Sequence, residues 1–112
     1  MKKDSISFPD LIKADIRVGL VTEAKLVEGS SKLIELTVDM GEDYGSVTIF
    51  TGMQKWYQPI DFQDKKFPFI ANLEPKPMMG RESQGMILSI DNSGTPVLIP
   101  LPASAEIGAA VL

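Results

Sequence analysis

The stretch ANLEPKPMMGRESQGMILS, residues 71–89, decides how this chain folds. An apolar run at residues 67–73 enters it, and a second at residues 86–90 leaves it. Between the runs stand Pro75, Pro77, Gly80 and Gly85. Proline fixes φ and glycine permits positive φ, so few backbone conformations remain between the runs. The pattern predicts two strands joined by a stiffened, irregular loop that loses little entropy when a ligand binds.

The side chains of this loop are those of a nucleic-acid contact. Two cations and two neutral hydrogen-bonding residues are presented, namely Lys76, Arg81, Ser83 and Gln84. Three methionines stand beside them, namely Met78, Met79 and Met86. Cations and hydroxyl or amide groups suit phosphates, riboses and base edges, so the loop predicts a partner that offers phosphates and flat bases.

Several separated motifs carry a family resemblance. They are DIRVG at 15–19, KL at 32–33, VDMG at 38–41, TG at 51–52 followed by Tyr57, ANL at 71–73, MMG at 78–80 and ESQGM at 82–86. In this order and spacing the chain resembles the EMAP-II-like tRNA-binding domain. That domain forms the C-terminal appendage of bacterial methionyl-tRNA synthetases and also stand-alone structure-specific tRNA-binding proteins. The resemblance implies tRNA contacts from Lys32, Met78, Arg81, Ser83 and Met86.

Length and composition restrict the number of domains and the kinds of site that this chain can form. A chain of 112 residues is predicted to form one domain, residues 1–112. It has no cysteine and no histidine, which excludes thiolate and imidazole metal sites and every Ser-His pair. The nearest approach to a carboxylate cluster is Asp39, Glu42 and Asp43, which surround Gly41 as a turn does. We therefore predict no catalytic site, no metal and no cofactor.

Charge and hydropathy restrict the partners. No apolar run approaches the ~18–20 residues of a membrane span, and no hydrophobic segment follows the lysines of the amino terminus. We expect a cytoplasmic protein with no membrane partner. The formal net charge of −4 counts against nucleic acid at first sight. An RNA-binding chain of this charge must gather its cations on one surface.

Alternating apolar residues predict five strands, at residues 16–26, 33–38, 46–51, 67–73 and 84–90. In the first strand the register shifts near residues 19–21, which indicates a bulge in a strongly bent strand. Pro68 is expected at a strand start or on an edge. A helical turn at residues 52–60 carries Trp56 and Tyr57, which we expect to plug the barrel. A short last strand is predicted at residues 95–100.

This order predicts an all-β fold, an OB-fold five-stranded Greek-key barrel with short helical turns. Strand pattern alone leaves another small barrel equally open, and the resemblance decides for the OB-fold. The barrel is expected at about residues 14–91 and a C-terminal extension at about 92–112. Ser7 is expected to cap a short N-terminal helix whose Phe8, Leu11 and Ile12 cover one end of the core.

In an OB-fold the first and fourth interstrand loops lie at one end of the binding face. Lys32, Lys76 and Arg81 are therefore expected to converge, with Ser83 and Gln84 beside them. Structural alternatives stay open for several of these residues. Met78 and Met86 also suit barrel packing, Arg81 a surface salt bridge to Glu82 or Glu74, Ser83 the capping of its own turn, and Arg17 an ion pair with Asp15. Glu28 departs from the family pattern and places a carboxylate near the site.

The first functional interpretation is a non-catalytic module that recognises tRNA by shape and backbone, either free-standing or as the C-terminal domain of methionyl-tRNA synthetase. An aminoacyl-tRNA synthetase is then a possible partner. The alternative is a chaperone-like or dimerisation module of the same fold without RNA binding. The apolar C-terminal segment, residues 96–112 with Glu106 as its only charge, predicts a homodimer. That segment has one alternative, which is to fold back over its own barrel.

Overall fold

The first strand is long and has two different partners. The computed structural model describes residues 1–112, and in it β1 (Ile16–Leu26) is bent. Its first half pairs antiparallel with β4 (Lys66–Ile70), and its second half pairs with β2 (Ile34–Asp39). The register shifts between Val21 and Glu23, so the bulge lies at Thr22 rather than at the predicted residues 19–21. The extra residue lets one strand turn the corner of a small barrel.

Gly19 is needed for close packing of β1 against the core, and it does not form the β-bulge. It stands in the ladder opposite Phe67. A Cβ at this position would lie 2.6 Å from Cγ1 of Val38 and 2.8 Å from Sδ of Met40. Only a residue without a side chain lets β1 approach the core this closely.

The main sheet has the strand order β3-β2-β1-β4-β7, where β3 is Ser46–Thr51 and β7 is Met86–Ile87. The gap between β3 and β7 is bridged by three hydrogen bonds between β3 and residues 83–84, of which two are short. The amide of Gln84 donates to the carbonyl of Thr48 at 2.8 Å, and the amide of Phe50 donates to Oγ of Ser83 at 3.0 Å. The result is a nearly closed five-stranded antiparallel barrel, which confirms the predicted all-β, OB-like class.

The core fills this barrel with side chains from the inward face of the alternating strands. Its fully buried side chains are Val21, Ile34, Leu36, Val38, Met40, Ile49, Phe62, Phe67 and Phe69. Phe62 follows the 3₁₀ turn Pro59–Asp61, and its ring packs against Tyr57 and Phe67. Trp56 is 40% exposed, so the aromatic plug is Phe62 with Tyr57, and the prediction for Trp56 was wrong.

Two segments differ from the predicted strands. The loop expected to be irregular contains a hairpin, β5 (Lys76–Met78) with β6 (Arg81–Ser83). The predicted fifth strand divides into β7 and β8 (Ser89–Asn92), and β8 pairs with β9 (Thr95–Leu98) across the expected barrel boundary. Hairpins with two-residue turns allow backbone groups to pair locally where the chain leaves the main sheet.

Pro68 occupies the middle of β4, which lies between two neighbours, rather than a strand start or edge. It stands opposite Val18, whose amide and carbonyl bond Ala109 and Gly108 of the C-terminal tail instead. The β1–β4 ladder therefore does not need an N–H at residue 68. The carbonyl of Pro68 accepts from the amide of Leu88 at 3.0 Å.

The C-terminal tail lies along β1 of its own chain. The amides of Val18, Gly108 and Val111 make backbone bonds of 2.8 to 2.9 Å between the tail and β1. Ser7 caps α1 (Phe8–Leu11) as predicted, and its Oγ accepts from the amide of Asp10. The apolar side chains of this helix are exposed, so they do not cover the core. No helix of the structure is both long enough and apolar enough to cross a bilayer.

Candidate nucleic-acid interface

Two loops distant in sequence meet on one face of the barrel. The β5–β6 hairpin turns at Met79 and Gly80, which both have positive φ, 51° and 77°. This tight turn carries the thioether of Met79 to the β1–β2 loop, residues 27–33. A methyl group added at Gly29 of that loop would lie 3.7 Å from Cε of Met79. The predicted convergence of the two loops is therefore present.

Arg81 is held by a partner that lies 46 residues away in sequence. Its Nη1 donates to Oε1 of Glu35 at 2.7 Å and its Nη2 donates to Oε2 at 2.8 Å. Its guanidinium also lies 5.2 Å from the centroid of the Phe50 ring. Glu35 and Phe50 are direct cross-strand neighbours on β2 and β3. The salt bridge to Glu82 or Glu74, which the sequence left open as an alternative role for Arg81, is not formed, and Arg81 pairs with Glu35 instead.

This pair fixes the conformation of Arg81. The side chain of Glu35 is 8% exposed and that of Arg81 is 52% exposed. Hydrogen bonds from Arg81 lower the pKa of Glu35, and the same bonds raise the pKa of Arg81. Removing one partner of a fully buried pair costs about 3–5 kcal/mol, and the cost here is smaller because solvent reaches Arg81. The two hydrogen bonds hold the Arg81 guanidinium against Glu35, and the Glu35 carboxylate compensates its charge.

A pocket of about 390 Å³ surrounds this pair. We call it the Arg81 pocket, and its lining is Lys25, Leu26, Val27, Glu28, Glu35, Phe50, Met79 and Arg81. The end of β1 and the loop after it form one wall, and the β5–β6 hairpin forms the other. Two cations and two carboxylates line it, so its formal charge is zero.

Two shallow depressions continue the surface on the other side of Phe50. We call them together the methionine groove, because Met78 and Met86 line both. Lys76, Glu74 and Leu73 border one depression, and Ile87, Leu88 and Pro96 border the other. Met86 is exposed rather than packed inside the barrel. The predicted residues Lys76, Met78 and Met86 are thus brought together.

Ser83 and Gln84 are used in closing the barrel. Ser83 is 4% exposed, and its Oγ accepts from Phe50 and donates to the carbonyl of Gly85. Both hydrogen-bonding directions of its hydroxyl are thus satisfied within the chain. Oε1 of Gln84 accepts from the amide of Thr48 at 3.3 Å, which leaves its amide nitrogen at the surface.

Three lysines, on β1, in the β1–β2 loop and on β5, have no ion-pair partners. Lys32 lies exposed in the β1–β2 loop, where its amide donates to Oγ of Ser30 and its carbonyl accepts from the amide of Gln54. It borders neither the Arg81 pocket nor the methionine groove. Lys25 and Lys76 border one each. These three side chains are free to contact phosphates.

Sequence reasoning missed Lys25, Glu35 and Phe50. Glu35 interrupts the apolar strand at 33–38, and such an outward-facing carboxylate on a strand is the one signal available. Its partner and the ring beneath that partner depend on strand register. Lys25 carries no local signal.

The second arginine is structural. Nε of Arg17 donates to Asp15 at 2.7 Å, and its Nη1 donates to Asp43 and to the carbonyl of Gly108. The hydroxyl of Tyr44 donates to the other oxygen of Asp15. Bonds from Arg17 and then Tyr44 lower the pKa of Asp15, and the bond to Asp15 raises the pKa of Tyr44. This network of hydrogen bonds holds the C-terminal tail against the barrel. No group of three carboxylates in the chain lies close enough together to hold a metal ion.

Comparison with known families gives one match over most of the chain. Residues 16–110 match the family model described as "Putative tRNA binding domain". The methionine–tRNA ligase of Caldanaerobacter subterraneus subsp. tengcongensis is 36% identical over 110 residues, which is 98% of this chain and 17% of the ligase. The chain spans only 15% to 17% of the length of such curated relatives.

Several solved structures resemble this chain over almost its whole length, among them the following two. The MetRS related protein from Pyrococcus horikoshii has a TM-score of 0.92 and 36% identity, and the match covers 98% of this chain and 100% of that protein. The chaperone CsaA from Bacillus anthracis has a TM-score of 0.83 and 25% identity, with 97% and 100% covered. The same barrel thus occurs under names of both functional classes that the sequence predicts.

Proposed function

This chain belongs to the tRNA-binding domain family, and we propose that it is a non-catalytic module that grips tRNA by shape and backbone. One observation carries the proposal. The β1–β2 loop, which carries Lys32, meets the β5–β6 hairpin, which carries Lys76, next to the pocket that Lys25 lines, and none of these three lysines has an ion-pair partner. Lys25, Lys32 and Lys76 contact phosphates, and the methionine groove receives apolar base or ribose faces.

The remaining predicted residues take different parts in this proposal. Met78 and Met86 contribute the floor of the methionine groove, and the free amide of Gln84 donates to a phosphate or ribose oxygen. Ser83 supports the hairpin from inside. Arg81 is presented in a fixed orientation by Glu35. In this proposal the module works in the cytoplasm, either free-standing or as the C-terminal domain of a methionyl-tRNA synthetase. Relatives named methionine–tRNA ligase and MetRS related protein support the link to the synthetase.

Binding to tRNA is tested by titrating the protein with mixed tRNA and with duplex DNA of similar mass at two salt concentrations. We expect tRNA to bind more tightly than duplex DNA and binding to weaken as salt rises. Absence of tRNA binding at low salt would favour the chaperone-like alternative, which the likeness to CsaA supports. Suppression of aggregation of an unfolded test protein would then measure that activity.

We further propose that the chain forms a homodimer through an apolar patch. The C-terminal tail and α1 border a depression lined by Phe8, Leu11, Ile12, Ala14, Ile16, Ala110, Val111 and Leu112, with Asp15 as its only charged side chain. Several of these side chains are largely exposed, Phe8 at 70%. Such patches mark partner surfaces, and a second copy in a two-fold arrangement is the commonest solution.

The dimer is tested by sedimentation at micromolar concentration. We expect the wild type to be dimeric and the double variant Leu11→Glu, Val111→Glu to be monomeric, because two charges would be buried without partners. Ile60→Glu is the matched control, since Ile60 is exposed outside the patch. A monomeric wild type, or a dimeric double variant, would contradict the proposal.

A further inference from the structure

The Arg81 pocket has features that phosphate binding does not explain. Its two cations, Lys25 and Arg81, are balanced by two carboxylates, Glu28 and Glu35, so the pocket as a whole is neutral and only Lys25, which has no ion-pair partner, is free for a phosphate at its edge. Two bulky apolar side chains, Leu26 and Met79, stand exposed at its rim. A neutral, flat ligand with both acceptors and donors suits such a lining better than an anion does.

Arg81 keeps an unused hydrogen-bonding edge. Glu35 takes one N–H from each of its Nη atoms, and Nε makes no hydrogen bond. Nε–H and the outer N–H of the neighbouring Nη point in the same direction, because the guanidinium is planar and its five donors are fixed. Arg81 therefore presents a second, preoriented fork. Such a fork matches two adjacent acceptors on the edge of a ligand.

Met79 occupies a backbone position that methionine does not favour. It is the first central residue of the β5–β6 turn, with a φ of 51°. Turns with positive φ at both central residues favour Asn, Asp or Gly there, and a bulky residue at positive φ is strained. A strained residue in a pocket points to a functional use of its side chain. The polarisable thioether of Met79 suits the face of an aromatic ring.

Among the four bases, guanine alone matches both polar features of the pocket. Its O6 and N7 are adjacent acceptors, and arginine bound to them in bidentate fashion is the commonest specific base contact. Its N1–H and N2–H₂ groups are adjacent donors, which suit the Glu28 carboxylate. The volume of about 390 Å³ lies at the lower end of the range for small-ligand sites, about 300–1,000 Å³.

We propose that the Arg81 pocket takes one unpaired guanine of the bound RNA, with Arg81 on O6 and N7, Glu28 on N1–H and N2–H₂, and Met79 and Leu26 against the ring faces. The proposal rests on the proposed RNA binding and adds a base preference to it. Glu35 is a positioning residue in this arrangement. It holds Arg81 and cancels the charge that would otherwise attract phosphate.

The experiment uses five RNA heptamers that differ only at the central base of U₃XU₃, where X is guanosine, adenosine, uridine, 7-deazaguanosine or inosine. Fluorescence anisotropy measures the affinity of each for the full chain. We expect guanosine to bind at least about five-fold tighter than adenosine or uridine, as one bidentate base contact provides. Loss of N7 in 7-deazaguanosine and loss of the 2-amino group in inosine should each reduce this advantage.

Three variants test which side chain contacts which edge of the guanine. Arg81→Lys keeps a cation on Glu35 but lacks the fork, so it should bind guanosine and 7-deazaguanosine equally. Glu28→Gln should bind guanosine and inosine equally. Glu82→Gln is the matched control, because Glu82 is an exposed carboxylate outside the pocket, and it should keep both differences.

Equal affinities for the heptamers with guanosine, adenosine and uridine, or no binding of any heptamer below millimolar concentration, overturn the guanine site. A parallel titration with tRNA separates this failure from failure of the proposed function. If tRNA binds with the expected salt dependence and the heptamers bind equally, the proposed RNA binding is supported and the base preference is refuted. If neither tRNA nor any heptamer binds, both proposals are refuted.

Discussion

Removing one unpaired lysine from the interface should reduce the salt dependence of tRNA binding by a fixed amount. Each phosphate contact contributes a slope of about −0.9 to the plot of log affinity against log salt. Contacts from Lys25, Lys32 and Lys76 therefore give a slope of about −2.7, which is about a forty-fold loss between about 50 and 200 mM salt. The variant Lys76→Ala should show a slope of about −1.8 and a loss of about twelve-fold.

The assay is fluorescence anisotropy of labelled tRNA at four or more salt concentrations. Lys65→Ala removes the same charge from an exposed position that borders neither the Arg81 pocket nor the methionine groove, and it should keep the wild-type slope. Lys76→Ala with the wild-type slope would refute the phosphate assignment.

Arg81 should contribute nothing to this slope, because the Glu35 carboxylate compensates its charge. The double variant Glu35→Gln, Arg81→Gln removes the ion pair as a unit and leaves the net charge of the chain unchanged. It should keep the slope of the wild type, although it weakens binding to guanosine. A slope reduced by about 0.9 would refute the view that Arg81 makes no phosphate contact.

The remaining predictions concern stability. Gly19→Ala should lower the free energy of unfolding, measured by urea denaturation, by about 1–3 kcal/mol, because its Cβ would collide with Val38 and Met40. Gly52→Ala is the control and should change this free energy by less than about 0.5 kcal/mol, because the space around Gly52 is open. Equal effects of the two substitutions would contradict the packing argument. Acidification should also destabilise the fold. The pKa values of Asp15 and Glu35 are lowered in the folded state, so their stabilisation is present above the unfolded carboxyl pKa of about 4 and is lost as pH falls through the folded values. Urea curves from pH 6 to pH 2 should show a shallower decline for Glu35→Gln, Arg81→Gln than for the wild type, and parallel declines would count against the role of Glu35.

The local pattern of the sequence was enough to predict the hairpin of β2 and β3 and the cap of α1. In both cases the signal and the structure lie within a few residues of each other. The family motifs supplied the OB-like class, which alternation alone left open. Periodicity failed at Thr22, because a bulge adds one residue without changing composition, and Gly19 beside it was the more visible signal.

The partner of Arg81 was not predictable from neighbouring residues. Glu82 and Glu74 are close in sequence, but they do not pair with Arg81. The β5–β6 hairpin lies against β3, and this placement carries Arg81 over Phe50 to the Glu35 carboxylate on the next strand. Such a contact depends on the register of two strands and on the path of a hairpin together. Neither is written in the spacing of residues 71–89.

The acidic net charge is compatible with RNA binding for a reason that the ion pairs supply. Both arginines are bonded to carboxylates, Arg17 to Asp15 and Asp43 and Arg81 to Glu35, so neither acts as a free phosphate clamp. Phosphate attraction then falls to lysines, which are flexible, strongly hydrated point charges. Three such contacts give modest affinity, and two protomers engaging one tRNA would double the slope to about −5.4. The measured slope thus reports how many protomers hold the RNA, because a dimer that uses one face at a time keeps the value near −2.7.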